Sequence, residues 1–399
     1  MDKIQKKPQV WILSFLFSLA NVLGVMFVAA LPELTEYFQI TKGKAQDTIS
    51  IYLLGCMVAQ VIYPSLAKSF GRKASIYIGG SLAIVGSVLC LISLEMSSYS
   101  LLLFGRGIMA LGAACGAILV STIVAESFSV HETRKKFSHL FSSFIVFPSI
   151  GIVIGGFLTK YISWESCFYF MLLYSIFVVL LCIWVPETGK DNSLSHLHIV
   201  KIAKSYIQQF SNVTGLLYGL IAACACIFLY VFAAEAPFLA QEQLNISAEH
   251  FGLYNLIPNV GFFVGGLFSA HLIHRITSRT LVLIGVSGFT LFSVIMWLIF
   301  DMGFVNPLTL FGIPFFIFLS AAAILPNSQA CALARAEDKP YMSSLLYVIQ
   351  YLWVAMSIVA LRLLPAEDPS VLPIMYSCSA GLMIILLCVV RKFYTKPCS

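Results

Sequence analysis

Charged side chains are scarce in this sequence, 11% of 399 residues against 59% hydrophobic. A soluble domain carries about 25% charged residues. This chain therefore lacks the polar surface to cover itself in water, and its mean hydropathy of +0.92 points to lipid as the solvent. Short segments of alternating hydrophobicity, the mark of a membrane barrel, are missing too. The apolar runs are about 20 residues long, the length a helix needs to cross hydrocarbon. The fold class is all-α integral membrane. Zinc spacing is absent among the eleven cysteines. Most of them (Cys56, Cys90, Cys115, Cys182, Cys224, Cys226, Cys378, Cys388) lie inside apolar runs, where thiols act as small hydrophobes. Neither a metal site nor a disulfide framework is expected. No polar stretch is large enough to fold alone and no nucleophile–base pair appears, so an enzyme is not expected. The net charge of +6 would suggest nucleic acid in a soluble protein. Here it reflects basic residues collecting in cytoplasmic loops, and no nucleic-acid partner follows.

What is present is a series of apolar windows. They predict helices near 9–32, 47–67, 74–94, 98–125, 138–160, 164–186, 213–238, 250–272, 280–300, 306–326, 343–365 and 371–390. The first is too long for a signal-peptide core and is read as an uncleaved helix. The widest gap is polar, giving an N-terminal six-helix half (1–186), a linker (187–212) and a C-terminal six-helix half (213–399). With a cytoplasmic N-terminus, the inside segments hold Lys68, Arg72, Lys73, Arg134, Lys135, Lys136, Lys190, Arg275, Arg279, Arg335 and Arg391, among others. The outside segments hold only Lys42, Lys44 and Lys160. That asymmetry predicts a multi-pass protein of a bacterial inner membrane with both termini cytoplasmic. The partners expected are membrane lipid and a small-molecule solute, and the chain is expected to be a monomer.

Several fragments resemble the major facilitator superfamily, specifically its drug:proton antiporters of the bicyclomycin/chloramphenicol-resistance branch. Thr48 to Gln60, running into Tyr63-Pro-Ser-Leu-Ala-Lys-Ser-Phe-Gly-Arg-Lys73, is similar to that branch's second helix and signature loop. Pro186-Glu-Thr188 resembles its exit from helix 6, Phe232 to Phe238 the end of its helix 7, and Pro326-Asn327 the start of its loop 10–11. The resemblance implies two six-helix bundles of inverted three-helix repeats, a solute site between them near the midplane, and alternating access. It implies no cofactor, with a proton gradient as driving force.

In the family the helix 2–3 loop carries an acid where this chain has Lys68; Gly71, Arg72 and Lys73 keep the rest of the pattern. Two readings stand. Lys68 is one more positive-inside residue, or it belongs to a charge-swapped conformational latch with Glu337 or Asp338, alongside an Arg72–Glu126 pair. Arg106, in Arg106-Gly-Ile-Met-Ala-Leu-Gly112, matches the family arginine linked to proton coupling, or else snorkels to the interface. Glu235, two residues before Pro237, can carry a proton or can be a wetted surface acid. Arg362 is an interface anchor, or pairs with Glu235 or an anionic solute. Asp47 is expected as a cap of helix 2. Val25 occupies the place of the branch's helix 1 aspartate, so either Glu235 or Glu33 carries the proton or the protein is not an antiporter.

Gly151, Gly155 and Gly156 resemble the antiporter motif of helix 5 with Ile152 in place of proline; Gly261, Gly265 and Gly266 form a similar set in helix 8. Small residues four apart let helices approach closely. A solute lining of Asn21, Gln60, Tyr230, Asn255, Asn259, Tyr347, Gln350 and Tyr351 suits amphipathic solutes; interhelical hydrogen bonding is the plainer role for each. The readings of function are a proton-coupled exporter of drugs, metabolites or siderophores, an importer of a nutrient or iron-siderophore, or a non-transporting receptor.

Overall fold

The structure is a computed structural model that describes residues 8–128, 130–188, 206–273, 275–334, 336, 338–365 and 368–393. Glu337, and residues 189–205 of the expected linker, lie outside the described residues.

Twelve helical spans are long and apolar enough to cross a membrane among the described residues. They are α1 (Val10–Phe38), α2 (Lys42–Phe70), α3 (Arg72–Glu95), α4 (Tyr99–Ser127), α5 (Ser143–Tyr161) and α6 (Ser166–Trp184). The second six are α7 (Val213–Gln243), α8 (Ala248–Leu272), α9 (Ser278–Asp301), α10 (Pro307–Leu333), α11 (Tyr341–Leu363) and α12 (Val371–Lys392). Each is driven by the same balance: buried in apolar surroundings, a backbone amide needs a partner, and a helix supplies one from within. Polar residues mark the starts. Asn212, Ser247, Thr277 and Asp338 each accept a hydrogen bond from the first turn of α7, α8, α9 and α11. Asn306 and Thr309 form a reciprocal capping box at α10.

Three spans depart from regular geometry. Within α1 the residues Met26–Ala30 tighten into a 3₁₀ helix. At the end of α7, just past Pro237, Leu239–Gln243 loosens into a π turn. The two irregular segments meet where Gln241 Nε2 donates to Ala29 O at 2.8 Å. In α8 the helix is interrupted at Asn255, three residues before Pro258.

The chain forms two compact units that do not follow its halves. One comprises Met1–Phe27 and Ile51–Ile202, the other Val28–Ser50 and Ala203–Ser399. The division cuts α1 and α2, so the segment Val28–Ser50 packs with the C-terminal spans. Helix boundaries also correct the hydropathy windows. The second helix begins at Lys42 rather than near 47, and the helix that contains the α5 span runs from Val130, because polar turns extend the helices beyond their apolar cores. Asp47 is thus not a cap; it lies in the second turn of α2.

Glycines set the helix spacing. A β-carbon at Gly155 would lie 2.0 Å from Met26 O, and one at Gly261 or Gly265 would lie 2.2 Å from Phe315 O or 2.3 Å from Leu319 O. Helices α5 and α1 therefore touch backbone to backbone, as do α8 and α10. Gly151 makes ordinary contact with Val22 at 3.5 Å, and Gly156 is buried. Gly266 corrects its expected packing role: nothing lies within 4 Å of a β-carbon there. One residue along from Gly265, it faces about 100° away round the helix.

Candidate functional site

Glu235 sits one turn before the π segment of α7 and is 2% exposed. Its Oε1 accepts from Gln46 Nε2 at 2.7 Å, and its Oε2 stands 2.6 Å from Lys42 Nζ. Gln46 also donates to Ala234 O at 3.1 Å. Lys42 and Gln46 are one turn apart on α2, so the start of that helix presents both groups to α7 together. The Lys42 ammonium also lies 5.4 Å from the centre of the Phe238 ring. Beside this cluster Arg362 of α11 pairs with Asp47 of α2, not with Glu235. A cavity of about 320 Å³ adjoins both pairs, lined by Lys42, Lys44, Gln46, Glu235 and Arg362 together with apolar and small residues. All of these residues belong to the second unit.

Arg106 is fully buried in the first unit, which replaces the snorkelling alternative. Its Nη1 donates to Leu23 O at 2.7 Å and its Nη2 to Gly24 O at 3.2 Å. Those carbonyls lie just before α1 tightens into its 3₁₀ segment, where the change of hydrogen-bond register strands a carbonyl. The guanidinium lies over the rings of Phe27 and Tyr52, 4.3 and 4.4 Å from their centres. Tyr52 in turn donates to Ala20 O at 2.6 Å. Charge, fork and rings together hold the turn of helix in which Val25 stands, itself 1% exposed.

The residues expected to line a solute path fall into both units. In the first, Asn21 and Gln60 are buried in α1 and α2. In the second, Tyr230 is half-buried in α7. Asn259 Nδ2 donates to Asn255 O and Oδ1, both at 2.7 Å, so this pair spends its polarity on the kink of α8. Tyr347 bonds to Gln329 of α10. Gln350 is 6% exposed and its amide nitrogen has no partner. Tyr351 is half-buried beside it.

The signature loop forms a network at the opposite end of the first unit's helices. Arg72 Nη2 lies 2.5 Å from Glu126 Oε1, and Thr188 donates to the other oxygen of that carboxylate at 2.6 Å. Glu187 grips the start of α3, accepting from the backbone amides of Arg72 and Lys73, each at 2.9 Å. Lys73 reaches Ile183 O at 2.8 Å. Gly71, at φ +89°, makes the turn into α3; a side chain there would be strained and would press on Glu187. Lys68 is exposed in the last turn of α2. Asp338 caps α11 through the amide of Tyr341.

The Major Facilitator Superfamily model matches residues 10–358. The chain belongs to the major facilitator superfamily. It is a membrane transporter and not an enzyme. An uncharacterized transporter of Rickettsia bellii (strain RML369-C) is 26% identical over 275 residues, covering 68% of this chain and 67% of that protein. The bicyclomycin resistance protein homolog of Haemophilus influenzae (strain ATCC 51907 / DSM 11121 / KW20 / Rd) is 23% identical over 341 residues, 84% of each chain. Bicyclomycin resistance names the branch of the superfamily that the motifs of this chain resemble. The crystal structure of a D-xylose-proton symporter shares the fold, with a TM-score of 0.76 at 14% identity over 94% of this chain and 96% of that one.

Several residues in this superfamily frame escaped the sequence reading. Hydropathy leaves Lys42 in an outside loop and gives Gln46 no signal; only a helix beginning at residue 42 reveals their i, i+4 spacing. Glu187 and Thr188 marked an exit from a helix but not a cap and a bridge. The Trp353 indole, whose nitrogen is buried without a partner, had no sequence signal at all.

Proposed function

We propose that this transporter exports small amphipathic solutes across the bacterial inner membrane in exchange for protons, with both termini cytoplasmic and the monomer as the working unit. The observation that carries the reading is the buried Glu235 carboxylate held by Lys42 and Gln46. A carboxylate kept charged in such a place holds its cation; a protonated one releases it. Val28–Ser50 is continuous in sequence with the first unit, so any movement that withdraws it from α7 and α11 must part Glu235 from Lys42 and Gln46, and Asp47 from Arg362. Protonation of Glu235, reached through the adjoining cavity, favours that parting. Deprotonation restores the pair. Export is favoured by the similarity to a bicyclomycin resistance protein homolog. In this reading Arg106 is a positioning residue that fixes the bend of α1, and the segment 187–212 is a connector that tolerates movement.

A second reading, import of a nutrient or iron-siderophore, is favoured by Val25, Lys68 and Ile152 standing where the antiporter motifs have other residues.

Everted vesicles carrying wild type or Glu235→Gln, given an imposed pH gradient and tetraphenylphosphonium or ethidium, test the proposal. Gradient-driven accumulation by wild type that is lost in the variant supports it. Accumulation in the variant equal to wild type sinks the role of Glu235, and flux of the opposite sign favours import.

A further inference from the structure

The buried side-chain nitrogens without a hydrogen-bond partner among the described residues are Arg72 Nε, Asn212 Nδ2, Gln350 Nε2 and Trp353 Nε1. The first two belong to groups already engaged: Arg72 through its terminal nitrogens and Asn212 through its oxygen. The other two are different. They fall three residues apart on one helix, α11, and residues at that spacing are neighbours on the same face. Buried donors are satisfied in the great majority of native sites, so two adjacent exceptions call for a partner from outside the chain.

We infer that Gln350 and Trp353 form a donor pair that binds a hydrogen-bond acceptor of the transported solute, a carbonyl or ether oxygen. This rests on reading α11 as solute-lining, and it adds the chemistry of recognition. An indole nitrogen is a donor only and cannot be turned over as an amide can, so the atom that meets Trp353 must be an acceptor. A bare cation is thereby excluded from this point of the site. Tyr347, one turn before Gln350 on the same helix, supplies flat apolar surface beside it, which suits a solute that is mostly apolar with one or two acceptor oxygens. The indole ring adds to that surface. Trp353 is thus a specificity residue through its N–H and a packing residue through its ring, and the two roles separate experimentally.

The test uses the full-length protein and two probes: chloramphenicol, which carries amide and nitro oxygens, and tetraphenylphosphonium, a lipophilic cation with no acceptor. Binding to detergent-purified protein and flux in everted vesicles are measured for wild type, Gln350→Leu and Trp353→Phe. Trp353→Phe keeps an aromatic ring and removes the donor together with part of the indole's area. The expected result is about a tenfold loss of chloramphenicol affinity in each variant, the worth of one hydrogen bond. Tetraphenylphosphonium loses only ring or amide contact area and no hydrogen bond, so in each variant the loss for chloramphenicol exceeds the loss for tetraphenylphosphonium by at least about fivefold. Equal losses for both probes make the pair structural and overturn the inference. No loss for either leaves the donors to water and also overturns it. Wild type that moves tetraphenylphosphonium without binding chloramphenicol overturns the donor pair while export stands; wild type that moves neither probe overturns the export reading and this inference with it.

Discussion

The ammonium of Lys42 and the carboxylate of Glu235 stand 2.6 Å apart, their side chains 15% and 3% exposed. One comes from the first turn of α2 and the other from the end of α7, next to a proline and a π turn. A pair so enclosed gains little over a neutral pair of the same shape, because desolvation offsets the attraction. Its value lies in what happens when one charge vanishes. The retained partner is then left buried without compensation, and the helices that carry the pair are pushed to separate.

That asymmetry predicts a pattern of stabilities. Lys42→Met leaves the Glu235 carboxylate buried with only Gln46 for support, and lowers unfolding stability by about 3–5 kcal/mol. Adding Glu235→Gln removes the stranded charge, so the double variant recovers most of the loss. Thermal unfolding of the detergent-purified proteins measures both. A double variant no more stable than Lys42→Met would show that the pair is not coupled as the geometry has it.

Arg106 yields a prediction that separates positioning from proton chemistry. Its fork reaches two carbonyls of α1 and its guanidinium lies over the rings of Phe27 and Tyr52. Lysine keeps the charge but is a point donor that can neither bridge both carbonyls nor stack as a plane. Arg106→Lys is expected to lower transport at least about tenfold, losing roughly one charged hydrogen bond's worth of positioning. The pH profile of the residual flux stays in place. A shifted profile would instead give the guanidinium a part in proton transfer.

The spans were legible because hydrocarbon thickness forces long apolar runs onto the sequence, and the order of landmarks from Thr48 to Asn327 gave the family. What stayed hidden has a common cause. Lys42-Gly43-Lys44 carries no apolar signal, so hydropathy starts α2 too late and makes Asp47 its cap. The acid Glu235 was visible as an expensive residue in a membrane, but its partner lies 193 positions away in sequence, from Lys42 to Glu235. Arg106 was visible too, yet it binds backbone carbonyls, which have no residue signature. Asn255 and Asn259 showed a shared face correctly and a role ambiguously, since polar residues one turn apart serve each other as readily as a ligand.

The signature loop predicts non-additive losses. Glu187 caps two amides at the start of α3, and Glu187→Ala costs about 1–2 kcal/mol, as for other helix caps. Gly71→Ala forces a β-carbon into a left-handed turn, 2.7 Å from Glu187 Oε2. It displaces that same carboxylate, so the double variant loses less than the two single losses added together. Unfolding of the four proteins, wild type included, forms the cycle that checks this. Strict additivity would mean that the cap and the turn act independently.

Neighbouring glycines on α8 give the sharpest contrast in sign. A β-carbon at Gly265 would lie 2.3 Å from the carbonyl oxygen of Leu319, a backbone atom of α10 that cannot turn aside. Gly265→Ala must therefore push α8 and α10 apart, lowering both thermal stability and the yield of folded protein. At Gly266 nothing lies within 4 Å of the same added carbon. There the substitution brings only the better helix propensity of alanine, about 1 kcal/mol in favour of the folded state. Thermal unfolding of the two variants side by side should move in opposite directions. Two equal losses would mean that both glycines pack against neighbours and that the face of α8 turned toward α10 is broader than the structure shows.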